Sequence, residues 1–372
     1  MLTKIDNKVY ITATSSATCA GNNNQELFNS VIKGISGIRQ DSNYFFGASP
    51  AIGTLKSRDD FYDVLITQCR NILETSSLDD FSDTLLIIGS SVGGMAKTEE
   101  IYFKTGSYEQ IDPKYHNIQT IATVLNSTFN FYDDISFSTA CTSSSNAIGY
   151  AYEVLSKGLY KNALVVGADS LSKTTVGGFL SLGVLSSEAA KPFDISREGM
   201  NVAEGIACLL LESEAKESSV EVCGVGYSSD AYHMTHPNAE GLGARSAMKR
   251  ALLSAGIEAE KIDYINAHGT GTKANDNAEA QAIASLFGTN PCVSSTKSVT
   301  GHTLGASGAL EAIISMMIIE EGILPKNLFL DKAENKEISL LKESKKHKVE
   351  YILSNAFAFG GNNCSLIFGK VK

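Results

Sequence analysis

The sequence lacks several features that mark particular classes of protein. Its 372 residues contain 31 Lys and Arg against 41 Asp and Glu, a net charge of -10, so it has none of the basic surplus that nucleic-acid binders carry. Its longest apolar run, AIISMMII at 312–319, is too short to span a bilayer. The phosphate-binding pattern G-x-x-x-x-G-K-[ST] does not occur. With 43% hydrophobic residues, the chain is instead long and apolar enough for a large core.

Cysteine pairs and zinc-type spacings are also missing. The cysteines lie singly along the chain, at positions 19, 69, 141, 208, 223, 292 and 364. An odd number of scattered cysteines, with no C-x-x-C pair and no His/Cys cluster, is typical of a reducing compartment and predicts no structural zinc. The first residues include Lys4, Asp6 and Lys8, where a signal peptide requires apolar residues. We therefore expect a cytoplasmic protein.

Strand and helix patterns alternate along the chain, which predicts an α/β fold. Short runs rich in Val, Ile and Leu, each ending in glycine or small polar residues, are typical of buried strands. They lie at 84–91, 162–170, 205–212, 261–269 and 351–359. Helical spacing of apolar residues occupies 142–158, with Gly158 as its stop, and 303–322, with Gly322 as its stop.

Three segments of the first half have weak counterparts in the second, in the same order. The pairs are 83–94 with 262–272, 138–158 with 299–322, and 162–170 with 351–359. This self-similarity is what a duplicated unit would leave. We therefore predict two similar α/β halves, 1–214 with Cys141 and 215–372 with the two histidines discussed next. The charged segment ESEAKESS (212–219) is predicted to connect them as a solvated hairpin.

Three residues are candidates for covalent chemistry. Cys141 stands where a predicted strand gives way to a helix, and the helix dipole there is expected to lower the pKa of its thiol. His268 opens the glycine-rich segment HGTGT, and His302 occupies roughly the place in the second half that Cys141 has in the first. Each alone is better interpreted as a structural residue. Together, a nucleophile and two imidazoles suggest acyl transfer with stabilised oxyanions.

These residues carry a family resemblance that covers most of the chain. STAC (138–141), HGTGT with the acidic residues that follow (268–279), STKSVTGHTLGASGALE (295–311) and NAFAFGGNN (355–363) occur in order. Together they resemble the β-ketoacyl-acyl carrier protein synthases of type I/II, elongating condensing enzymes of the thiolase superfamily. The resemblance implies a thiolase-like fold with αβαβα layers. It also implies decarboxylative condensation of a malonyl-carrier protein with an acyl chain held on Cys141, in fatty-acid, polyene or polyketide assembly.

The resemblance also implies roles for individual residues. Cys141 would be the nucleophile, and His268 and His302 would donate hydrogen bonds to the thioester oxygen. Lys297, paired with Glu311, would position His302 and hold its tautomer. The backbone N–H groups of Cys141 and Phe359 would form an oxyanion hole, and the side chain of Phe359 would gate the acyl pocket. Asp276 and Glu279 would be supporting residues at a helix start.

No cofactor and no metal are implied by the resemblance. The implied partners are an acyl carrier protein and a second subunit, either another copy of this chain or a chain-length-factor subunit. Nucleic acid and membrane are not expected as partners.

Some residues depart from the family pattern. Thr142, Ser143 and Ser144 follow the cysteine where small Ala or Gly residues are usual, and first-turn capping is the interpretation we favour. Ala358 replaces a glycine in the gating segment, which predicts a stiffer hinge. The alternative function is a thiolase that transfers acetyl groups without decarboxylation. That function would need a second reactive cysteine near the C-terminus, whereas Cys364 lies on an apolar strand and is predicted to be core.

Overall fold

The computed structural model describes residues 7–41, 49–217, 219–230 and 232–371. Among them lie the following strands: β1 Tyr10–Thr18, β2 Arg39–Gln40, β3 Ala51–Ile52, β4 Thr84–Gly89, β5 Asp133–Phe137, β6 Asn162–Asp169, β7 Gly205–Glu212, β8 Val220–Ser229, β9 Tyr264–Asn266, β10 Cys292–Ser294, β11 Ile323–Leu324, β12 Ser339–Leu340, β13 Lys345–Lys346, β14 Tyr351–Phe357 and β15 Asn362–Lys370. The helices are α1 Asn24–Lys33, α2 Phe61–Thr75, α3 Met95–Thr105, α4 Gln119–Thr128, α5 Ser143–Ser156, α6 Lys173–Ser181, α7 Leu242–Ala255, α8 Lys273–Phe287, α9 Lys297–Thr300 and α10 Ser307–Glu321. The predicted α/β fold, its five buried strands and its two helices are confirmed.

One mixed sheet contains eleven of these strands, in the order β12-β10-β9-β14-β15-β8-β1-β7-β6-β4-β5. Counted outward from the central pair β1 and β8, the two sides of the sheet mirror each other. On one side the order is β1-β7-β6-β4-β5, and on the other it is β8-β15-β14-β9-β10. The first two contacts on each side are antiparallel and the next two are parallel. The division of the chain at 214/215 stays a prediction, which this mirrored order supports.

The side chains of each half-sheet alternate between two hydrophobic clusters, as the two-residue period of a strand requires. On β4, Leu85 and Ile87 face the central cluster, whereas Leu86 and Ile88 face an outer cluster with α2 and α4. On the other half-sheet, α7 and α8 cover the outer face. Helices α5 and α10 lie in the central cluster, between the half-sheets. The layers are therefore helix, sheet, helix, sheet, helix.

Helices α5 and α10 approach each other closely because small residues line their contact. A Cβ atom placed on Gly308 of α10 would lie 2.0 Å from Ser145 Oγ of α5. A Cβ on Gly167 of β6 would lie 2.9 Å from the Cβ of Ala309. The amide of Ala309 also donates a 2.9 Å hydrogen bond to Ser144 Oγ, which joins the starts of the two helices. The central layer therefore has no room for larger side chains at these positions.

The prediction that 212–219 forms a solvated hairpin is wrong. Strand β1 lies between β7 and β8, so the connection passes over one strand rather than joining neighbours. Ser218 of this segment lies outside the described residues. None of the helices formed by the described residues has the length and hydropathy needed to cross a membrane.

The contact between α5 and α10 can be tested by substitution. Gly308→Ala should lower the free energy of unfolding by about 1–3 kcal/mol, because the new methyl group overlaps Ser145 Oγ. Gly178→Ala is the matched control, since a Cβ there meets no atom within 4 Å. It should be neutral or stabilise α6 by roughly 0.5–1 kcal/mol. Denaturant unfolding of both variants is the measurement, and equal stability of the two would contradict the close contact.

Candidate active site

Cys141 sits at a sharp turn between β5 and α5. The preceding residue, Ala140, has φ of 53°, a left-handed conformation that costs a non-glycine residue about 1–2 kcal/mol. Its carbonyl accepts hydrogen bonds from Ser143 Oγ (2.6 Å), from Ser91 Oγ (2.9 Å) and from the Ser143 amide (3.0 Å). These bonds hold the strained turn and present the thiol at the start of the helix.

The three candidates for covalent chemistry meet in one place, although they are far apart in sequence. His302 Nε2 lies 3.0 Å from Cys141 Sγ. The His268 and His302 ring centroids are 5.2 Å apart. One ligand atom from each residue lies within 4.8 Å of the others, and all three side chains are buried. Because His268 directly follows β9 and His302 precedes α10, the two half-sheets and the central helices together create this cluster.

Ser307, which no sequence motif identified as functional, contacts the second ring nitrogen of His302. Ser307 Oγ lies 2.9 Å from His302 Nδ1, and Thr303 Oγ1 lies 3.2 Å from the same hydroxyl. A hydroxyl can accept from Nδ1–H or donate to bare Nδ1, so it suits either tautomer of the ring. The resemblance implies that Lys297 holds the tautomer of His302, which stays a prediction; the observed partner of Nδ1 is Ser307. The sequence signal for this contact was the position of Ser307, five residues after His302 and at the first position of α10.

Burial dominates the electrostatics of the thiol. It raises the pKa of Cys141 to about 11, against the lowering effects of the Lys297 charge and of the backbone N–H groups of Phe359 and Cys141. The backbone N–H of Cys141 at the helix start does lower the thiol pKa, as predicted, but the net shift is upward because burial outweighs this effect. The free energy lost when a thiolate is removed from water exceeds the stabilisation that these groups give it. The resting site holds a neutral thiol next to a neutral imidazole.

Lys297 and Glu311 form an ion pair buried beside the cluster. Burial, followed by the positive charge of Lys297, lowers the pKa of both His268 and His302 well below the usual range. Both imidazoles are therefore neutral at physiological pH. A neutral imidazole keeps one N–H donor and one acceptor, so each ring can exchange a proton or donate a hydrogen bond.

Asp276 and Glu279 hold the loop that carries His268. Glu279 accepts 2.8 Å hydrogen bonds from the amides of His268 and Gly269. Asp276 accepts from the Gly271 amide at 3.2 Å and lies 3.4 Å from Arg197 Nε. Burial raises the pKa of Glu279 to about 7, opposed by these amides. Both carboxylates thus contact the backbone of the glycine-rich loop rather than the imidazole.

A cavity opens over the cluster. Its lining includes Cys141, His268 and His302, with Phe359, Phe179 and His236 farther out. The rings of Phe179 and Phe359 lie 6.1 Å apart and pack over one side of the cavity.

The hydroxyl-rich segment after Cys141 serves packing and turn geometry. Thr142 Oγ1 donates to the Thr139 carbonyl (2.7 Å) and to Asn362 Oδ1 (2.8 Å), and Ser143 Oγ accepts from the Thr139 amide (3.0 Å). No hydroxyl of Thr142 caps the first turn of α5, so the capping interpretation is wrong for that residue. The Asn362 contact links the nucleophile helix to the strand that follows Phe359.

Other cysteines do not supply a second nucleophile at this site. Cys364 lies on β15 within the central cluster, and burial raises the pKa of its thiol further than that of Cys141. The cysteine that the alternative thiolase function requires is therefore core. The spacing of the three cluster atoms would also suit a metal ion, but the charge of Lys297 beside them opposes cation binding.

Family models match most of the chain. A model described as beta-ketoacyl synthase, N-terminal domain, matches residues 41–217. A model described as beta-ketoacyl synthase, C-terminal domain, matches residues 219–331.

Curated relatives and solved structures agree with these models. The 3-oxoacyl-[acyl-carrier-protein] synthase 2 of Coxiella burnetii is 32% identical, over 98% of this chain and 99% of the relative. The chloroplastic synthase II of Arabidopsis thaliana is 33% identical, over 98% and 76%. Among structures, a ketosynthase (ApeO) in complex with its chain length factor (ApeC) from Xenorhabdus doucetiae superposes with a TM-score of 0.90 at 31% identity, covering 98% of both chains. The predicted thiolase-like fold is confirmed by these likenesses.

The effect of the Lys297 charge on the thiol pKa predicts how a substitution of Lys297 changes the reactivity of Cys141. Because the Lys297 charge lowers the thiol pKa, Lys297→Met should raise it further and slow alkylation of Cys141 by iodoacetamide at pH 8. The rate-against-pH curve should move to higher pH. Lys297→Met/Glu311→Gln should behave like the single variant, because Glu311 freed of its partner takes up a proton in its buried position. Lys8→Met, which removes a surface ion pair, is the control. Unchanged curves for Lys297→Met would refute this account.

Proposed function

The chain belongs to the β-ketoacyl synthase family, and from this premise we propose that it lengthens acyl chains by decarboxylative condensation. The substrates would be malonyl-acyl carrier protein and an acyl group held as a thioester on Cys141. The single observation that carries the proposal is the neutral, buried cluster of one thiol and two imidazoles, with His302 Nε2 3.0 Å from Cys141 Sγ. Relatives named 3-oxoacyl-[acyl-carrier-protein] synthase support the same reaction.

In the first step, Cys141 takes the acyl group from a thioester. The thiol proton passes to His302 Nε2 as sulfur attacks the carbonyl, and from there to the departing thiol. This route suits a thiol whose pKa is about 11, because the sulfur is deprotonated only as the new bond forms. The backbone N–H groups of Cys141 and Phe359, which lower the pKa of the thiol, would stabilise the oxyanion.

In the second step, the malonyl thioester loses CO₂. Negative charge develops on the thioester oxygen, where an N–H donor on His268 and the Nε2–H of His302 would contribute about 3–4 kcal/mol each. His302 would be in its other tautomer for this step, with Ser307 Oγ donating to bare Nδ1. In the third step, the resulting carbanion attacks the acyl carbonyl on Cys141. Collapse of the tetrahedral intermediate expels the Cys141 thiolate and releases the 3-oxoacyl thioester, and the thiolate takes up the one proton that each cycle consumes from water. Burial keeps both imidazoles neutral during these steps, and the charge of Lys297 adds to this effect.

We also propose the partners and setting of the reaction. An acyl carrier protein would deliver both substrates. A second subunit would be another copy of the chain or a chain-length-factor partner, since the similar ketosynthase ApeO is described in complex with its chain length factor. The product would enter fatty-acid, polyene or polyketide assembly. Seven free cysteines support a reducing, cytoplasmic location. The division into halves 1–214 and 215–372 belongs to the same proposal.

Cys141→Ala separates condensation from decarboxylation. Condensation should fall below detection because no acyl-enzyme forms, whereas malonyl-carrier protein should still release CO₂ because both histidines remain. Mass spectrometry of the acylated protein and a CO₂-release assay measure the two steps. Cys292→Ala, a substitution on β10, should retain both. Condensation by Cys141→Ala would overturn the assignment of the nucleophile.

Ser307→Ala tests the support of His302. Losing a buried hydrogen-bond partner on Nδ1 should slow CO₂ release by roughly tenfold, the equivalent of about 1.4 kcal/mol. Ser315→Ala is a matched control on the same helix, since the buried Ser315 hydroxyl has no hydrogen-bond partner among the described residues. Its rate should stay within about twofold of wild type. Equal rates for the two variants would refute the role of Ser307.

A further inference from the structure

A buried carboxylate outside the cluster connects the segments that present its thiol and one of its imidazoles. Asp169 ends β6 and is 1% exposed. Its Oδ1 accepts hydrogen bonds from Ser90 Oγ (2.5 Å) and from the amides of Val92 (2.8 Å) and Ser91 (3.0 Å). Its Oδ2 accepts from the Gly305 amide at 2.7 Å, and also faces the Ser91 amide at 3.0 Å. One side chain thus binds the loop after β4 and the turn before α10.

Each of these two segments supports a reacting group. Ser91 Oγ donates to the carbonyl of Ala140, whose strained conformation precedes Cys141. Gly305 lies three residues after His302, next to Leu304, which also has a positive φ of 50°. The thiol comes from the first half of the chain and the imidazole from the second. Asp169 therefore joins the two across their boundary.

The charge of Asp169 does not explain its position. A carboxylate so deeply buried is costly, and burial raises its pKa to about 6 even with these donors to oppose the effect. Its charge also raises the pKa of Cys141, which does not help thiolate formation. The remaining explanation for the position of Asp169 is geometric. Both reacting groups depend on turns, and the carboxylate accepts hydrogen bonds from the amides of those turns.

We propose that Asp169 is a positioning residue that sets the separation of Cys141 Sγ and His302 Nε2 by holding both of their supporting segments. This inference rests on the proposed function for its kinetic readouts. The two carboxylate oxygens act on different segments: Oδ1 binds mainly the loop after β4, and Oδ2 alone binds Gly305.

Asp169→Asn tests the inference because an amide has one acceptor oxygen. The amide can serve the loop after β4 or Gly305, but its NH₂ group then faces the remaining amide donors. The rate constants for acyl transfer to Cys141 and for CO₂ release should fall by roughly 10- to 100-fold, with KM for malonyl-carrier protein little changed. Asp194→Asn is the matched control. Asp194 is a similarly buried carboxylate that accepts the amides of Ser196, Asp331 and Lys332, away from the cluster residues.

Ser91→Ala provides a second variant that keeps Asp169 and all of its amide bonds. It removes one of the three donors to the Ala140 carbonyl, the one that comes from the loop after β4, and it changes no charge. Acyl transfer and alkylation of Cys141 by iodoacetamide should both slow several-fold, whereas CO₂ release should change less because His302 keeps its support. The alkylation measurement needs no substrate, so it tests the inference even where condensation fails.

The outcomes separate the inference from the proposed function. A wild-type protein that releases no CO₂ from malonyl-carrier protein would refute the proposed function. Wild-type rates in Asp169→Asn would refute the inference, as would losses matched by Asp194→Asn at equal thermal stability. If Asp169→Asn does not fold, unchanged acyl transfer and alkylation in Ser91→Ala refute the inference, and slowing of both supports it.

Discussion

The approach of α5 and α10 between the two half-sheets is the constraint on which the site depends. Gly308 lies against Ser145 with no space for a Cβ, and the Ala309 amide donates to Ser144. This contact brings the starts of two helices together, one carrying the turn of Cys141 and the other the turn of His302. Residues 161 positions apart in the chain thereby come within 3.0 Å. A larger side chain in this layer would separate the reacting atoms as well as loosen the core.

Burial sets the chemical state of the same site. It keeps the thiol protonated and both imidazoles neutral, and the positive charge of the enclosed Lys297 also favours neutral histidines. A permanent thiolate would have to be solvated or neutralised by a cation in direct contact. The arrangement instead suits proton transfer during bond formation and donation to an oxygen that becomes negative only transiently. Low solvation and preorganised donors are two consequences of the same packing.

Sequence patterns predicted the strands and helices but not several of the side-chain interactions. The period of two in β4 and the helical spacing after Cys141 identify the layers, because burial repeats with backbone geometry. The net upward shift of the thiol pKa was not predicted, because a helix start is visible in sequence whereas the extent of desolvation is a property of the packed core. The roles of Ser307 and Asp169 could not be predicted from the sequence for a related reason. A serine or an aspartate acquires a role only from the atoms that the fold places around it.

The sequence by itself determined the α/β alternation, the repeated order of segments and the identity of Cys141, His268 and His302 as candidates, since these follow from local periodicity and motif spacing. Tertiary structure decided which groups face one another. It assigned the Nδ1 partner of His302 to Ser307, directed Asp276 and Glu279 to the backbone of the glycine-rich loop, and placed the Asp169 carboxylate between the loop after β4 and the turn before α10. Some of these contacts are short in sequence, such as Ser307 to His302, and others are long, such as Asp169 to Gly305. All of them need the close packing of the fold to bring their atoms within hydrogen-bond distance.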